Sequence, residues 1–283
     1  MMTRPDVTAP APGFAGAERA RLLDEVANLV REAHVEIMRA YAGPAEAQLK
    51  ADQSPLTQAD LASHRALTEG LARLTPALPV VSEEGLLPDP AVRALWPAYW
   101  LIDPLDGTKE FLERNGEFTV NVALVEHNRP TLGVVGVPAL DQLFVGDVAR
   151  SLAQHIAASG GGALRARPYA GGSPTVVASR RHGGGRLAGA LQALERAEGA
   201  PQLRNVGSSL KLCLLAQGHA DVYPRLAPTS EWDTAAAQAV LEAAGGAVLQ
   251  LNGDPLSYNK ADILNPAFVA VADTAVDWLR FFR

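Results

Sequence analysis

The chain has 283 residues, of which 48% are hydrophobic and 20% are charged. This composition is typical of a folded globular protein and excludes disorder over most of the length. A chain of this length is long enough for about two domains or one large domain. The formal net charge of −6 repels polyanions, which excludes a nucleic-acid polymer as a partner. A local cluster of cations can still hold a small phosphate ester.

The single cysteine, Cys213, excludes an internal disulfide and a multi-thiolate zinc site. It indicates a reducing compartment, so we expect a cytoplasmic protein. We expect no transmembrane segment, because no apolar run approaches the ~18 residues that one needs, and we expect no secretory signal. No basic amphipathic stretch favours a membrane surface, and peripheral association with the inner face of the membrane stays open as an alternative.

The first elements in chain order are helices. Residues 1–16 are rich in Pro and Ala and lack periodicity, so we expect a disordered leader. Apolar residues then recur at helical spacing over residues 17–37, which predicts a long amphipathic helix. The motif Ser54-Pro55-Leu56-Thr57 leads into a second periodic stretch at 61–74, with Asp60 in its first turn.

Strands follow these helices. Short apolar runs at 78–81 and 99–102 indicate buried strands that end at carboxylates. Residues 118–125 and 131–137 predict an antiparallel hairpin, with its turn at 127–130. Helices combined with an antiparallel sheet predict an α+β domain over residues 17–159.

Beyond a Gly-rich interval at 160–172, strands and helices alternate. Strands are predicted at 175–178, 203–206, 220–223, 247–251 and 268–272, and helices at 186–198, at 208–217, before Gly245-Gly246 and at the C-terminus. This alternation predicts an α/β domain over residues 160–283. The fold class is therefore α/β, with an α+β half followed by an α/β half.

The most informative motif is Asp103-Pro104-Leu105-Asp106-Gly107-Thr108. We expect a strand to deliver Asp103, a tight turn to follow, and Thr108 to open a short helix. The two carboxylates are hard ligands for a metal ion, and they stand beside backbone N–H groups that favour an anion. For an isolated match, the structural alternative is an ordinary turn with solvated aspartates.

Other elements also end in carboxylates. Glu83 and Glu84 follow the strand at 78–81, and Asp233 stands at the start of an apolar helix. Taken alone, Asp233 fits a helix cap as well as a site residue. A pair of Mg²⁺ ions that binds both attacking and leaving oxygens needs carboxylates from several elements. The spacing leaves open whether these residues converge.

These motifs, in this order, resemble the signatures of the lithium-sensitive, Mg²⁺-dependent inositol monophosphatase superfamily. The resemblance runs from about residue 18 to about residue 268 and is greatest to the nucleotidase branch. It is carried by Ser54-Pro55-Leu56-Thr57, Ser82-Glu83-Glu84, and residues 103–111, 114–121, 207–211 and 232–236. It implies the layered α-β-α-β-α sugar-phosphatase fold, two or three Mg²⁺ ions at the junction of the halves, and a monomer or homodimer.

The resemblance also implies roles for individual residues. The implied Mg²⁺ ligands are Glu83, Asp103, the backbone carbonyl of Leu105, Asp106 and Asp233. The implied catalytic residues, which orient and polarise the attacking water, are Asp60, Glu83 and Thr108. The implied substrate-binding residues are Leu105, Asp106, Gly107, Thr108, Ser208, Ser209, Lys211, Arg225 and Asp233.

The second half must supply the substrate specificity, because the metal ligands do not distinguish one phosphate ester from another. Lys211 and Arg225 provide cations for a second phosphate, and they match the nucleotidase branch. We therefore expect hydrolysis of the 3′-phosphate of adenosine 3′,5′-bisphosphate to AMP in sulfur assimilation, with the sulfated nucleotide as a second substrate. The alternatives are an inositol or sugar phosphatase, and a non-catalytic nucleotide or metal sensor.

Overall fold

A computed structural model describes residues 14–43, 47–50, 55–178 and 185–283. Most of the predicted leader lies outside these ranges, as does Ser54 of the motif Ser54-Pro55-Leu56-Thr57. The described residues form helices α1 (Gly16–Tyr41), α2 (Gln58–Leu74), α3 (Pro90–Arg93), α4 (Thr108–Leu112), α5 (Gly185–Glu198), α6 (Leu210–Ala216) and α7 (Ala235–Ala243). They form strands β1 (Ala47–Leu49), β2 (Pro55–Thr57), β3 (Val80–Ser82), β4 (Ala98–Asp106), β5 (Thr119–Glu126), β6 (Arg129–Val137), β7 (Gln142–Asp147), β8 (Leu152–Ala157), β9 (Gly162–Ala163), β10 (Thr175–Ala178), β11 (Gln202–Asn205), β12 (Val222–Arg225), β13 (Ala247–Gln250) and β14 (Phe268–Val271).

The first half carries a seven-stranded sheet in the order β3-β4-β5-β6-β7-β8-β9. β3 and β4 are parallel, and every other pair in this sheet is antiparallel. The predicted hairpin is confirmed as β5 and β6, with a turn shortened to His127 and Asn128. The sequence prediction does not include β7 and β8, which extend the sheet beyond that hairpin.

The second half carries a mixed five-stranded sheet in the order β11-β10-β12-β14-β13. β10 is parallel to both β11 and β12, whereas β14 is antiparallel to β12 and β13. The predicted alternation of strands and helices is confirmed here, with element ends shifted by one or two residues.

The helices and sheets form five layers. Along β5, Val122 and Leu124 pack on one side with α1 and α2, while Ala123 and Val125 face the other side, where α6 and α7 lie. One face of the five-stranded sheet covers α6 and α7, and α5 packs on its opposite face. The order of layers is α-β-α-β-α, as the resemblance implies, and it places α6 and α7 between the two sheets.

Helix α7 lies unusually close to the seven-stranded sheet. A Cβ atom at Gly133 of β6 would stand 2.2 Å from the carbonyl oxygen of Ala236, and one at Gly146 of β7 would stand 2.5 Å from Cα of Val240. Only glycine fits at either position with the helix where it is. A helix from the second half therefore shares a core with the sheet of the first half.

The first helix is the amphipathic element that the sequence predicts. Its buried face includes Leu22, Val26, Val30, Ala33 and Ile37. These residues recur every three or four positions, so they form one apolar stripe against the sheet. Of the helices in the described part of the chain, none is both long and apolar enough to span a bilayer.

Candidate active site

Three carboxylates from different elements meet between the two halves. Glu83 follows β3, Asp103 lies on β4, and Asp233 ends a short 3₁₀ turn that precedes α7. One carboxylate oxygen of each residue lies within 4.8 Å of one from each of the other two. Parallel strands β3 and β4 bring the first two to one end of the sheet, and α7 brings the third. The fold therefore joins carboxylates that are 150 residues apart in the sequence.

Asp106 extends this cluster from the end of β4. The expected tight turn at residues 103–106 is wrong in form, because β4 continues through Asp106 with a break in its pairing to β5 after Asp103. Pro104 has no N–H to donate to a neighbouring strand, which accounts for the break. The backbone N–H of Leu105 turns inward and donates to Asp103 Oδ1 at 3.0 Å.

The electrostatics of this cluster favour a cation. Burial raises the pKa of Asp103 well above its usual value, and the charges of Glu83, Asp106 and Asp233 raise it further. Burial likewise raises the pKa of Asp233, and the negative charge of Asp106 raises it further. For Asp106, burial raises the pKa to about 6 against the opposing charge of Lys211. Hard oxygen donors that repel one another in a buried site fit Mg²⁺.

Lys50 supplies a positive charge at the edge of the cluster. Its ammonium Nζ lies 2.7 Å from Oε1 of Glu83 and 2.5 Å from Oε1 of Glu84. This residue is not among those predicted from the sequence. A signal was present, because the chain has only four lysines among its 25 Lys and Arg residues. All four lie at the site or next to it. Lys50 contacts Glu83, while Lys109 and Lys211 line the adjoining pocket. Lys260 pairs with Glu231, two residues before Asp233.

Asp60 and Thr108 form a pair beside the carboxylates. Thr57 caps α2, and its backbone N–H and hydroxyl donate to Oδ2 of Asp60 at 2.7 and 2.6 Å. Oδ1 of Asp60 faces the Thr108 hydroxyl at 3.4 Å, and that hydroxyl is also 3.4 Å from the carbonyl oxygen of Leu105. Burial raises the pKa of Asp60. One carboxylate oxygen is thus held in place while the other faces the site.

Gly107 joins β4 to α4. Its φ of +88° lies in the left-handed region that favours glycine, and it directly precedes Thr108, the first residue of α4. A Cβ atom there would stand 3.3 Å from the Glu117 carbonyl oxygen and 3.4 Å from Cβ of Ser208. The absent side chain therefore keeps the backbone open toward the second half.

A pocket extends from the carboxylates into the second half. Its lining residues are Asp106, Gly107, Lys109, Glu110, Val206, Gly207, Ser208, Ser209, Lys211, Leu212, Tyr223, Arg225, Thr229, Asp233 and Thr234. Most of the substrate-binding residues that the resemblance implies are in this set. The lining residues that are not among the predicted site residues are Lys109, Glu110, Val206, Gly207, Leu212, Tyr223, Thr229 and Thr234.

Two cations face this pocket from the second half. Lys211 is buried, donates from Nζ to the Ser208 carbonyl oxygen at 2.7 Å, and lies 5.7 Å from the ring centre of Tyr223. Burial lowers the pKa of Lys211 to about 8. Arg225 is held by the carbonyl oxygens of Ala227 and Pro228, each at 3.1 Å. Both cations are fixed in position by backbone oxygens.

The Ser209 hydroxyl has structural partners. It lies 2.8 Å from the hydroxyl of Thr119 and donates to Oδ1 of Asn121 at 2.7 Å. Thr119 and Asn121 lie on β5, opposite Asp106 and Asp103 of β4. This buried network ties the start of α6 to the strand pair that carries two of the carboxylates.

Comparison with known proteins agrees with the fold. Residues 19–276 match the inositol monophosphatase family, and the chain belongs to that family. It is 45% identical over 251 residues to the 3′(2′),5′-bisphosphate nucleotidase CysQ of Escherichia coli K12, a match that covers 87% of this chain and 98% of that protein.

Solved structures give the same result. A crystal structure of CysQ from Bacteroides thetaiotaomicron has a TM-score of 0.79 and 39% identity, and the match covers 89% of this chain and 97% of that chain. An inositol monophosphatase from Thermotoga maritima matches with a TM-score of 0.74 over 93% of this chain and 96% of that chain. At 20% identity, the latter shows the fold alone.

Proposed function

We propose that this chain is a Mg²⁺-dependent 3′(2′),5′-bisphosphate nucleotidase that hydrolyses adenosine 3′,5′-bisphosphate to AMP and phosphate and serves sulfur assimilation. The observation that carries the proposal is that Lys211 and Arg225 line the same pocket as Asp106 and Asp233. A substrate with two phosphates needs cations beyond those that bind the reacting phosphate. The identity to CysQ proteins supports the same substrate class, and the sulfated nucleotide is the second substrate of the proposal.

The carboxylate cluster would hold Mg²⁺. The proposed ligands are Glu83, Asp103, the backbone carbonyl of Leu105, Asp106 and Asp233, and two or three ions are expected. When bound, Mg²⁺ supplies a Lewis acid that neutralises phosphoryl charge and lowers the pKa of water. The mutual repulsion of the buried carboxylates supports this role, because they need a cation to remain ionised together.

Asp60 and Thr108 would orient the attacking water. The Thr108 hydroxyl donates to Oδ1 of Asp60, so its lone pairs remain free to accept a hydrogen bond from water. Asp60 thereby orients the Thr108 hydroxyl toward the water, and Glu83, which follows β3, would polarise the same water. Because Thr57 fixes the other oxygen of Asp60, the pair is positioned before substrate binds.

The remaining substrate contacts divide between the halves. Backbone N–H groups of Gly107 and Thr108 would donate to the scissile phosphate, while Lys211 and Arg225 would bind the second phosphate. Ser208 and Ser209 would present backbone donors at the start of α6. The hydroxyl of Ser209 is engaged on β5, and its backbone N–H faces Asp106 in the pocket, so this residue would act through its backbone.

The first test compares phosphate release from adenosine 3′,5′-bisphosphate and inositol 1-phosphate at matched concentrations, with Mg²⁺ and with EDTA. We expect release that requires Mg²⁺ and strongly favours the nucleotide. A preference for inositol 1-phosphate would overturn the substrate and keep the metal site. No turnover of either substrate would support a nucleotide or metal sensor instead.

A variant pair separates specificity from general damage. Arg225→Ala removes one pocket cation, whereas Arg204→Ala removes an exposed arginine of β11 outside the pocket. A charge-assisted hydrogen bond contributes about 1.5–3 kcal/mol, so we expect a roughly 10–100-fold lower kcat/KM for the nucleotide with Arg225→Ala. The Arg204→Ala variant should match the unmodified protein. An unchanged nucleotide kcat/KM with Arg225→Ala would contradict the proposed binding mode.

We also propose a cytoplasmic location, which is supported by the single cysteine. Cys213 is fully buried in α6 and packs in the core shared by the two halves. A buried thiol with no second cysteine in the chain needs no oxidising compartment. Cell fractionation followed by immunoblotting tests this location, and recovery with membranes at low salt would favour peripheral association.

A further inference from the structure

Asn265 forms hydrogen bonds with the segment of residues 229–234, which carries Asp233. Its side-chain Nδ2 lies 2.8 Å from the carbonyl oxygen of Ser230, 3.0 Å from Oγ1 of Thr234 and 3.2 Å from Oγ1 of Thr229. Its backbone N–H donates to the Thr229 carbonyl oxygen at 2.7 Å. The side chain is buried, with 6% of its surface exposed. One residue thus contacts the segment on both sides of Asp233.

These contacts reach the carboxylate through Ser230. The backbone N–H of Ser230 donates to Oδ2 of Asp233 at 2.9 Å, and the two residues form a reciprocal capping box. Asn265 holds the carbonyl group of the same Ser230 and the hydroxyl of Thr234, which directly follows Asp233. Fixing these two neighbours restricts how far the Asp233 carboxylate moves relative to Asp103 and Glu83.

We propose that Asn265 is a positioning residue for Asp233 and thereby sets the affinity of the site for its divalent cation. The inference rests on the proposed function only in taking Asp233 as a metal ligand. An amide NH₂ group has two protons to donate, and the two nearest acceptors, on Ser230 and Thr234, use both. Groups that hold a metal ligand in place typically change metal affinity by about 10–100-fold when they are removed.

The sequence position of Asn265 explains why no local pattern reveals it. It lies 32 residues after Asp233, between β13 and β14, and reaches the site because Leu264 forms an isolated β-bridge with Ser230. That bridge and the hydrogen bond from Glu231 N–H to the Ile263 carbonyl oxygen align the two segments. The Asn265 side chain then completes an attachment that the backbone begins.

The test measures Mn²⁺ and Mg²⁺ binding by isothermal titration calorimetry in the absence of substrate. The main variant is Asn265→Ala, and Asn265→Ser keeps one donor if the alanine variant does not fold. The matched control is Thr75→Ala, which also removes a buried side chain that accepts a hydrogen bond from Trp100 and donates one to the Leu71 carbonyl oxygen. Thr75 follows α2 at the end opposite Asp60, about 22 Å along the helix at ~1.5 Å per residue.

We expect Asn265→Ala to weaken Mn²⁺ binding about 10–100-fold, Asn265→Ser to weaken it less, and Thr75→Ala to lower Tm without changing metal affinity. The Mg²⁺ concentration that gives half-maximal phosphate release should rise by the same factor as the dissociation constant for Mg²⁺. Metal affinity within twofold of the unmodified protein in both Asn265 variants would overturn the inference. Altered metal binding in a protein that does not hydrolyse the nucleotide would keep the inference and reject the proposed substrate.

Discussion

Asp106→Asn is expected to stabilise the metal-free protein while it removes activity. Burial raises the pKa of Asp106 to about 6 in the folded chain, against an ordinary value of 3.8. Above pH 6 the carboxylate is ionised in both states, so the folded state carries the full cost of that buried charge. Asparagine has nearly the same shape and no charge, so it removes the cost together with the proposed metal ligand.

The pKa shift gives an upper bound on the gain. A difference of about two pKa units corresponds to about 3 kcal/mol at ~1.4 kcal/mol per unit, and solvent reaching this partly exposed side chain reduces it. With an unfolding entropy of ~2.1 cal/mol/K per residue over 283 residues, 3 kcal/mol raises Tm by about 5 °C. The contribution of Asp106 to the stability of the unmodified protein should fall as pH rises from about 4 to 6, and this contribution should be absent from the variant.

Differential scanning calorimetry in EDTA at pH 4, 5.5 and 7.5 measures this difference. We expect near-equal Tm values at pH 4 and the largest advantage of Asp106→Asn at pH 7.5. Adding Mg²⁺ should reverse the order, because only a protein with the complete ligand set gains binding free energy. Equal Tm values in EDTA at pH 7.5, or equal stabilisation of both proteins by Mg²⁺, would refute the reasoning.

Three further changes test separate parts of the structure. Burial lowers the pKa of Lys211 to about 8, so this side chain loses its positive charge between pH 7 and 9. In steady-state kinetics, the KM for adenosine 3′,5′-bisphosphate should therefore rise over that range. Lys211→Met should have a high KM that does not change with pH. His34 is 5% exposed and among the described side chains whose nitrogens have no hydrogen-bond partner, and burial lowers its pKa to about 4. The unfolded chain therefore binds a proton below pH 6.5 that the folded chain excludes. The stability advantage of the unmodified protein over His34→Leu, measured by urea denaturation, should fall by about 2 kcal/mol from pH 7 to pH 5. Lys50→Ala removes a cation that competes with Mg²⁺ for Glu83, so calorimetry should show roughly fivefold tighter Mg²⁺ binding, from ~1 kcal/mol for the ion pair; weaker binding would contradict this role.

The sequence predicts the elements that carry local signals. Asp60 was expected in the first turn of α2, and it is there, because Thr57 and Asp60 have the spacing of a capping box. The helix from Thr108 and the alternation of strands and helices in the second half are also confirmed. Each of these depends on residues within about one turn or one strand of one another.

The parts that were not predicted depend on contacts between distant residues. β7 and β8 are joined by a short 3₁₀ turn that ends at Ser151 with φ of +49°, without the Asn-Gly or Asp-Gly pair that marks a tight hairpin. Lys50 reaches Glu83 across 33 residues, and no periodic pattern links the two. Such contacts exist only once the sheets and α7 are assembled, so the sequence gives the chemistry of the site more readily than its supporting residues.

The two glycines beneath α7 determine the spacing of the active site. Gly133 and Gly146 let the helix approach the sheet so closely that a single methyl group at either position would overlap its backbone. Asp233 precedes that helix by two residues, while Asp103 and Asp106 belong to the sheet beneath. A methyl group on either strand would lift the helix and carry one carboxylate away from the others. The distance between Asp233 and the two aspartates of β4, which we propose share an ion, thus depends on two residues beneath the helix, neither of which lines the pocket.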